Sequence, residues 1–568
     1  MNTVRYQSIL AAPRHRETTG PAEAVTGPRY ADDTVEVAAV TALRTINRRT
    51  INRSEVSVLA AVTSATLQGV DGQPVVVEIH VGNGLPAYTV VGLPDTAVRE
   101  SRERVRAALL SSRLPWPMRR ITVNLAPGGV RKTGAGLELA VALGILVAND
   151  TDGKDTGGND GIPPLDPRAL DGVGVLGELG LDGTVRPVPG AFPLVASLAE
   201  QVHTVILPEA NAAEATLVAG VKVRVARHLR ELHACLGGDE PWPDPPEPMP
   251  REAAHADDLL FDLADVRGLA RARRALEAAA AGGHHLYLCG PPGAGKTMLA
   301  HRVRTILPPL DPDEALDVTR VLSVTSATPP QQLADERPFR SPHHTASAAA
   351  LVGGGSGQPR PGEITRAHRG CLFLDELGEF PRPALDALRQ PLEERVVQIA
   401  RQRGSVTFPA AIQLLACSNP CPCGRGGPAC RCSERNRDAY RRRISAPLLD
   451  RFELRIALTP PEPADVSGES SAVVRERVVE AAKRQRRRYA DRPWRTNAEV
   501  PPGAFATDLP LDRDAHAAWR DTTERHRLTG RGAAGIRRVA RTLADLDGSS
   551  TLSAEHIHAA ALLRDDVP

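Results

Sequence analysis

Between Val58 and Cys235, short apolar runs of strand character at 75–81, 121–125 and 204–207 alternate with stretches of helical spacing at 96–110 and 137–147. That alternation predicts an α/β fold. A Gly/Asp-rich loop at 151–168 interrupts it, and residues 237–250, with a proline at almost every second position, read as a stiff, extended linker. A second α/β segment runs over 258–460, and 461–568 carries a mostly helical pattern with no strong strand. Residues 1–54 are polar and weakly periodic and read as a disordered tail. Alternatively the true start lies near Val56–Val58, which N-terminal sequencing of the native protein would distinguish. The expected organisation is a tail (1–54), an α/β domain (55–236), a Pro-rich linker (237–257), a second α/β domain (258–460) and a helical segment (461–568). There is no internal repeat.

Composition changes this picture little. A chain of 568 residues has room for three to four domains at roughly 150 residues each. With 42% hydrophobic and 24% charged residues it reads as globular, and a net charge of +2 excludes a strongly cationic nucleic-acid coat while leaving room for local basic patches. The cations themselves are uneven. Of 70 Lys and Arg residues only five are lysines, at 132, 154, 222, 296 and 483, so each retained lysine asks for a reason. No run approaches the ~18 apolar residues of a membrane span. The apolar stretch at 9–12 is too short for a signal peptide and is followed by Arg14, His15 and Arg16. The expected location is cytoplasmic, with no membrane partner.

The chemistry concentrates in the second α/β segment. Gly290, Pro291, Pro292, Gly293, Ala294, Gly295, Lys296 and Thr297 fit G-x-x-x-x-G-K-[ST] at every fixed position, between a strand at 285–289 and a helix at 298–307 that Pro308 and Pro309 stop. Glycines let backbone N–H groups wrap phosphates, the helix N-terminus adds partial positive charge, Lys296 reaches the β/γ oxygens and Thr297 holds Mg²⁺. About eighty residues on, the apolar run 371–374 ends in Asp375 and Glu376, the Walker B arrangement. Asp375 belongs to the Mg²⁺ shell, and Glu376 orients the attacking water. A further strand, 411–418, ends in Asn419, either a second holder of that water or a turn-former before Pro420.

These motifs, together with Arg337–Thr345 (Arg-Pro-Phe-Arg-Ser-Pro-His-His-Thr), Pro361-Gly-Glu-Ile, 373–380 and Pro447-Leu-Leu-Asp-Arg451-Phe, resemble the Mg-chelatase-like AAA+ ATPases of the YifB/ComM family over residues 58–562. The resemblance implies an ATP- and Mg²⁺-dependent AAA+ core, a Lon-protease-like (ribosomal S5 domain 2-like) N-terminal domain and a C-terminal helical lid. It implies Arg451 as an arginine finger acting on a neighbouring subunit, hence a ring, expected to be a homo-hexamer; an intradomain salt bridge is the alternative. It places Arg531 at sensor 2, within a Gly530-Arg-Gly532 segment preceding a helix at 536–547, with Arg537 and Arg538 close enough to compete. Lon chemistry needs a Ser–Lys dyad. The family pattern puts Gly134 at the Ser position and Phe192 at the Lys position, so peptidase activity is not expected. Lys132 binds an anion or partner, or is a plain surface lysine.

Four of the eight cysteines crowd into Cys421, Cys423, Cys430 and Cys432, a C-x-C-x₆-C-x-C pattern. In a reducing compartment this suggests a Zn²⁺ site, with a labile disulfide pair or plain thiols as alternatives. Residues 392–408 read as a hairpin with a tight turn at Gly404. In this AAA+ clade such a hairpin projects into the ring pore, where Arg401 and Arg403 would touch DNA phosphates; a solvated tip is the alternative. The densest basic run, 483–489, is a second DNA candidate or one solvated helix face. The reading is a ring ATPase remodelling DNA, as a branch-migration or helicase-like motor in DNA uptake or recombination. A protein-remodelling or metal-chelatase-type motor subunit is the runner-up. A non-hydrolytic scaffold is disfavoured by Glu376.

Overall fold

Period-two alternation along β2 (Asp71–Gly82) buries Val75, Val77, Ile79 and Val81 and leaves the residues between them half exposed. The partner face of β4 (Arg120–Ala126) buries Ile121, Val123 and Leu125 in the same way. With β1 (Val58–Gln68), β3 (Ala87–Val91), β5 (Val173–Val175), β6 (Thr204–Pro208) and β7 (Lys222–Ala226), these strands make a seven-stranded mixed sheet of order β3-β4-β2-β1-β5-β6-β7. The buried face is covered by α1 (Thr96–Ser111), capped by Asp95, and by α2 (Glu138–Asn149), which is buried along nearly its whole length. The protein is described here from a computed structural model covering residues 58–134, 136–149, 165–246, 261–355, 359–401, 404–459 and 468–565. The expected tail (1–54), most of the loop at 151–168 and the second half of the linker lie outside these.

The second sheet is wholly parallel. Its strands are β8 (Leu286–Cys289), β9 (Phe339–Arg340), β10 (Cys371–Leu374), β13 (Gln413–Ser418) and β14 (Leu454–Ala457), in the order β9-β10-β13-β8-β14. Strands β8, β10 and β13 are buried at every position, as continuous apolar runs in a parallel sheet require. A separate ribbon, β11 (Val396–Arg401) with β12 (Gly404–Pro409), precedes β13. Arg401 pairs with Gly404, so Gly404 is already the first residue of the return strand, and 402–403 lie outside the described residues. The expected turn at Gly404 is corrected accordingly, and Arg403 is one of the residues not described.

Two helix expectations also shift. The helix after the Gly-rich loop breaks at Arg302 into Lys296–His301 and Val303–Ile306. There the Arg302 guanidinium turns back to the Asp262 carbonyl (2.7 Å) and the Asp265 carboxylate (2.8 Å). Gly530, Arg531 and Gly532 form the first turn of the C-terminal helix Gly530–Leu546 instead of preceding it, because Thr529 caps it by accepting from Gly532 N at 3.0 Å.

The helix Pro312–Thr325 joins the two sheets. Ser323 donates to the buried Glu214 carboxylate (2.6 Å), Gly190 N donates to the Ser323 carbonyl (3.1 Å), and Arg320 pairs with Asp71 (2.9 Å). Val70, at the β1–β2 turn, shares one apolar core with Val397, Ile399 and Phe408 of the ribbon.

The helix Gly530–Leu546 closes on the parallel sheet through a buried polar seam. His284 is fully buried, with Nε2 2.7 Å from Thr542 Oγ1 and Nδ1 3.8 Å from a Glu453 carboxylate oxygen. Burial pulls the His284 imidazole down to about 4, the Glu453 carboxylate offsetting only part of that effect. The imidazole is therefore neutral in the native state and takes up a proton on unfolding below its ordinary value of 6.5. The unfolded chain binds more protons between those two values, so stability falls as pH drops through this window, by up to about 3 kcal/mol from this group. Urea midpoints measured from pH 7.5 to 5 should fall. His284→Gln should flatten the slope, and an unchanged slope would remove His284 as its origin.

Candidate nucleotide site

The Gly-rich loop leaves β8 and reverses because Gly293 and Gly295 adopt left-handed φ of +78° and +84°. This brings Lys296, the first residue of its helix, back over the sheet edge. Its ammonium donates to the carbonyls of Gly290 (2.7 Å) and Pro291 (3.0 Å) and to Asn419 Oδ1 (3.0 Å), and burial lowers its pKa. Thr297 Oγ1 donates to Asp375 Oδ2 at 2.8 Å, and Asp375 Oδ1 accepts from Glu376 N at 2.9 Å. Residues from three strand ends thus meet: the loop after β8, Asp375–Glu376 after β10 and Asn419 after β13. The donor set of one ammonium, one hydroxyl beside a carboxylate and a glycine-lined backbone turn fits a nucleoside triphosphate with Mg²⁺.

Glu376 has a left-handed φ of +52°, and its carboxylate lies 3.1 Å from His344 Nδ1. His344 had no individual role in the sequence reading. The only signal for it was its place in the 337–345 motif, where its ring lies 4.1 Å from that of His343.

Arg451 and Arg531 lie elsewhere, and neither is bonded to the Lys296 group among the described residues. Both reach one carboxylate: Arg451 Nη2 donates to Glu393 Oε2 (2.5 Å) and Arg531 Nη2 to Glu393 Oε1 (2.9 Å). They line a cavity of about 770 Å³ with Asp450, Glu453 and Arg495. Arg451 Nε is buried without a hydrogen-bond partner. The intradomain ion pair weighed for Arg451 exists, with Glu393, which no local sequence signal marks. Arg537 is engaged elsewhere, by the carbonyls of Phe505 and Leu509, whereas Arg538 lines the same cavity, held by the Val500 carbonyl and 3.6 Å from a Glu453 carboxylate oxygen.

Arg401 is exposed at the end of β11. Of the basic run 483–489 only Lys483 and Arg487, four residues apart, form a solvated face. Arg484 donates to the Asp545 carbonyl, Gln485 is buried on the Ala281 carbonyl, Arg486 reaches the Pro309 carbonyl and Arg488 binds the Asp545 carboxylate, leaving Lys483 and Arg487 outward. Helix-packed charges here satisfy carbonyls across the seam.

In the seven-stranded region Lys132 is fully buried and donates to the Pro127 carbonyl, so it is not a surface lysine. Gly134 N donates to Asp95 Oδ2 (3.1 Å), and Phe192 is packed in the core. The thiols of Cys421, Cys423, Cys430 and Cys432 converge within 4.8 Å of one another, in the loop that follows Asn419. No helix among the described residues is long and apolar enough to cross a membrane.

Comparison with known proteins agrees with this layout. Residues 262–466 match the family described as magnesium chelatase, subunit ChlI, residues 77–211 match subunit ChlI of Mg-chelatase, and residues 468–564 match its C-terminal family. The chain is 40% identical over 513 residues to YifB of Salmonella typhimurium, covering 89% of this chain and 97% of that one. It is 38% identical over 507 residues to the competence protein ComM of Haemophilus influenzae, covering 88% and 96%. A shorter likeness, 33% over 144 residues, joins 23% of the chain to 25% of Lon protease 2 of Bacillus subtilis. With most of its length shared and all three Mg-chelatase matches in order, the chain belongs to the YifB/ComM family of Mg-chelatase-like AAA+ ATPases.

Proposed function

We propose that this protein is a ring-forming ATP hydrolase that remodels DNA. The observation carrying the hydrolytic part is the convergence of Lys296, Thr297, Asp375 and Asn419 at one sheet edge. Lys296 and the backbone N–H groups of the loop hold the phosphates, while Thr297 and Asp375 supply the ligands of Mg²⁺. The chemistry an Mg²⁺ held by these two residues would supply is neutralisation of phosphate charge. Glu376, exchanging His344 for the attacking water, accepts its proton as the water adds to the γ-phosphorus and ADP leaves. Asn419 fixes the Lys296 ammonium and the water. Glu376→Gln should keep ATP binding, read by a fluorescent analogue, and lose about 10²–10⁴-fold in turnover. Full turnover in that variant would remove Glu376 from the mechanism.

The finger role of Arg451 requires a neighbouring copy, and it is supported by the place of its guanidinium on a cavity wall, held by the Pro447 carbonyl and by a Glu393 carboxylate that is itself exposed and exchangeable. In a homo-hexamer Arg451 leaves Glu393 for the adjacent γ-phosphate, and Arg531 follows as sensor 2. Arg451→Ala and Glu376→Gln should each be inactive alone. An equimolar mixture should recover about a quarter of the wild-type rate, since random mixing makes one interface in four competent. No recovery, with mixed assembly shown by differently tagged chains, would refute action in trans.

DNA as substrate is supported by two things: the exposed Arg401 on a ribbon preceding the Asn419 strand, and the relative named as a competence protein, competence being the uptake of DNA. The N-terminal Lon-like region serves as a non-peptidase platform that meets the base of the ribbon through Val70, and the C-terminal helices serve as the lid. The Mg-chelatase descriptions of the family matches favour the second reading, a protein-remodelling or chelatase-type motor. ATPase rates with single-stranded, duplex and four-way DNA separate the two. Stimulation at low salt should fall in Arg401→Ala and Arg403→Ala, with a shallower salt dependence in each. Absence of stimulation by every DNA would leave the second reading.

A further inference from the structure

The loop between Asn419 and the helix Glu434–Arg441 gathers four thiols from two C-x-C pairs. All four cysteines are free, with Sγ···Sγ separations of 3.3 Å (Cys421–Cys423), 3.5 Å (Cys421–Cys430) and 3.8 Å (Cys423–Cys430), far beyond the about 2 Å of a disulfide. A tetrahedron of sulfurs around Zn²⁺ at about 2.3 Å has edges of about 3.8 Å, and the four thiols, all within 4.8 Å of one another, lie close enough to that spacing to close on one ion. Backbone N–H groups point at the sulfurs: those of Arg425 and Arg431 at Cys423, that of Gly426 at Cys421 and that of Cys423 at Cys432. Such donors satisfy thiolate lone pairs that the metal leaves free and fix ligand orientation. The folded chain thus brings together four sulfurs, with hydrogen-bond support around them, and no fifth ligand joins the cluster among the described residues.

The loop also touches the nucleotide site. Gly424, at φ +74°, packs on the P-loop so closely that a Cβ there would lie 2.7 Å from the Pro292 ring. Cys421 follows Asn419 by two residues, and Asn419 holds the Lys296 ammonium. Past Cys432, Ser433 caps the helix that buries Tyr440 against Gly378, directly after the Asp375–Glu376 turn. The loop and the helix it leads into therefore contact segments following all three strand ends that build the site.

We propose that Cys421, Cys423, Cys430 and Cys432 bind one structural Zn²⁺, and that this ion braces Asn419 and Pro292 in their positions over the nucleotide. The metal claim stands on the thiols alone, whereas the bracing role rests on the nucleotide reading above. Gly424, Gly426 and Gly427 all have positive φ, backbone freedom that lets the loop double back and bring the two C-x-C pairs together. A metal cross-link constrains the loop in that shape.

The test uses the full-length protein purified with reductant and without chelator. Mass spectrometric metal analysis should find one zinc per chain, and Cys423→Ser and Cys432→Ser should each lose at least about tenfold in zinc content. Cobalt exchanged into the wild type should give the visible bands and sulfur-to-metal charge transfer of a tetrahedral thiolate site, a readout that does not depend on a variant folding. Wild type without zinc, iron in its place, or equal zinc in the variants would overturn the site. Removal of zinc should weaken binding of a fluorescent ATP analogue about tenfold, reversed by zinc alone. Zinc present but without effect on that affinity would overturn the bracing role. Metal content is read without turnover, so a chain that proves not to hydrolyse ATP leaves the zinc result intact.

Discussion

The placement of β13 between β8 and β10 constrains everything at the nucleotide site. The parallel register sets Cys289 beside Ser418 and Leu374 beside Ala416, so the three strands end at one edge and their next residues are Gly290, Asp375 and Asn419. Because these strands are buried on both faces, polar chemistry can only begin past their ends, where ligands bind in open parallel sheets. The hydroxyl of the fully buried Tyr287 hydrogen-bonds Ser418, the last residue of β13, and ties β8 to β13 at the edge. Lys296 then needs only the left-handed glycines of the loop to fold back over this edge and find three oxygens. A slip of β13 by one residue would take Asn419 from the ammonium and put its apolar neighbours on the wrong sides of the sheet.

Local chemistry was legible in the sequence, and contacts between distant segments were not. The Gly-rich loop and the apolar run ending in Asp375 and Glu376 announce themselves because their function needs adjacent residues of fixed type. The alternation along 75–81 and 121–125 likewise names its buried face. Strand order is a property of crossovers, so nothing in 411–418 says that it threads between two strands earlier in the chain. Glu393 is an unremarkable glutamate in a helix until Arg451 and Arg531 meet it, and His344 is one of two adjacent histidines until the fold turns it to Glu376. Lys132 reads as an anion or partner ligand or as a plain surface lysine because the Pro127 carbonyl that its ammonium meets carries no side-chain signature. The basic run 483–489 misleads for the opposite reason: a dense sequence of cations says nothing about which carbonyls lie opposite.

That misreading exposes how the chain uses arginine. Arg337 bridges the Pro308 carbonyl (2.8 Å), the Arg369 carbonyl (2.7 Å) and the Glu314 carboxylate (2.5 Å). Arg541 holds the Asp545 carboxylate and the carbonyls of Ser549 and Ser550. A planar fork with five donors satisfies several acceptors from different segments at once, which an ammonium does less well. Many arginines are thereby consumed inside the molecule, and the net charge of +2 reflects pairing more than a shortage of cations. Lys296 is the informative exception. At the loop a compact ammonium fits between two carbonyls and an amide where a guanidinium would not.

Glu393 is where this economy meets the proposed ring. Its two oxygens are divided between Arg451 and Arg531, and the two guanidinia repel each other when that carboxylate is removed. A neighbour's γ-phosphate carries the same sign of charge and more acceptor oxygens, so it can replace Glu393 for both arginines together more readily than for one. The backbone couples them as well. Asp450, next to Arg451, accepts from Thr529 Oγ1 at 3.0 Å, and Thr529 caps the helix whose second residue is Arg531. Exchange of a partly buried ion pair for another of similar geometry costs little net free energy, because both states desolvate the same groups. In the proposed ring the position of the C-terminal helix would follow which anion the arginine pair holds, so the nucleotide state of one subunit would be felt in the helical segment of the next.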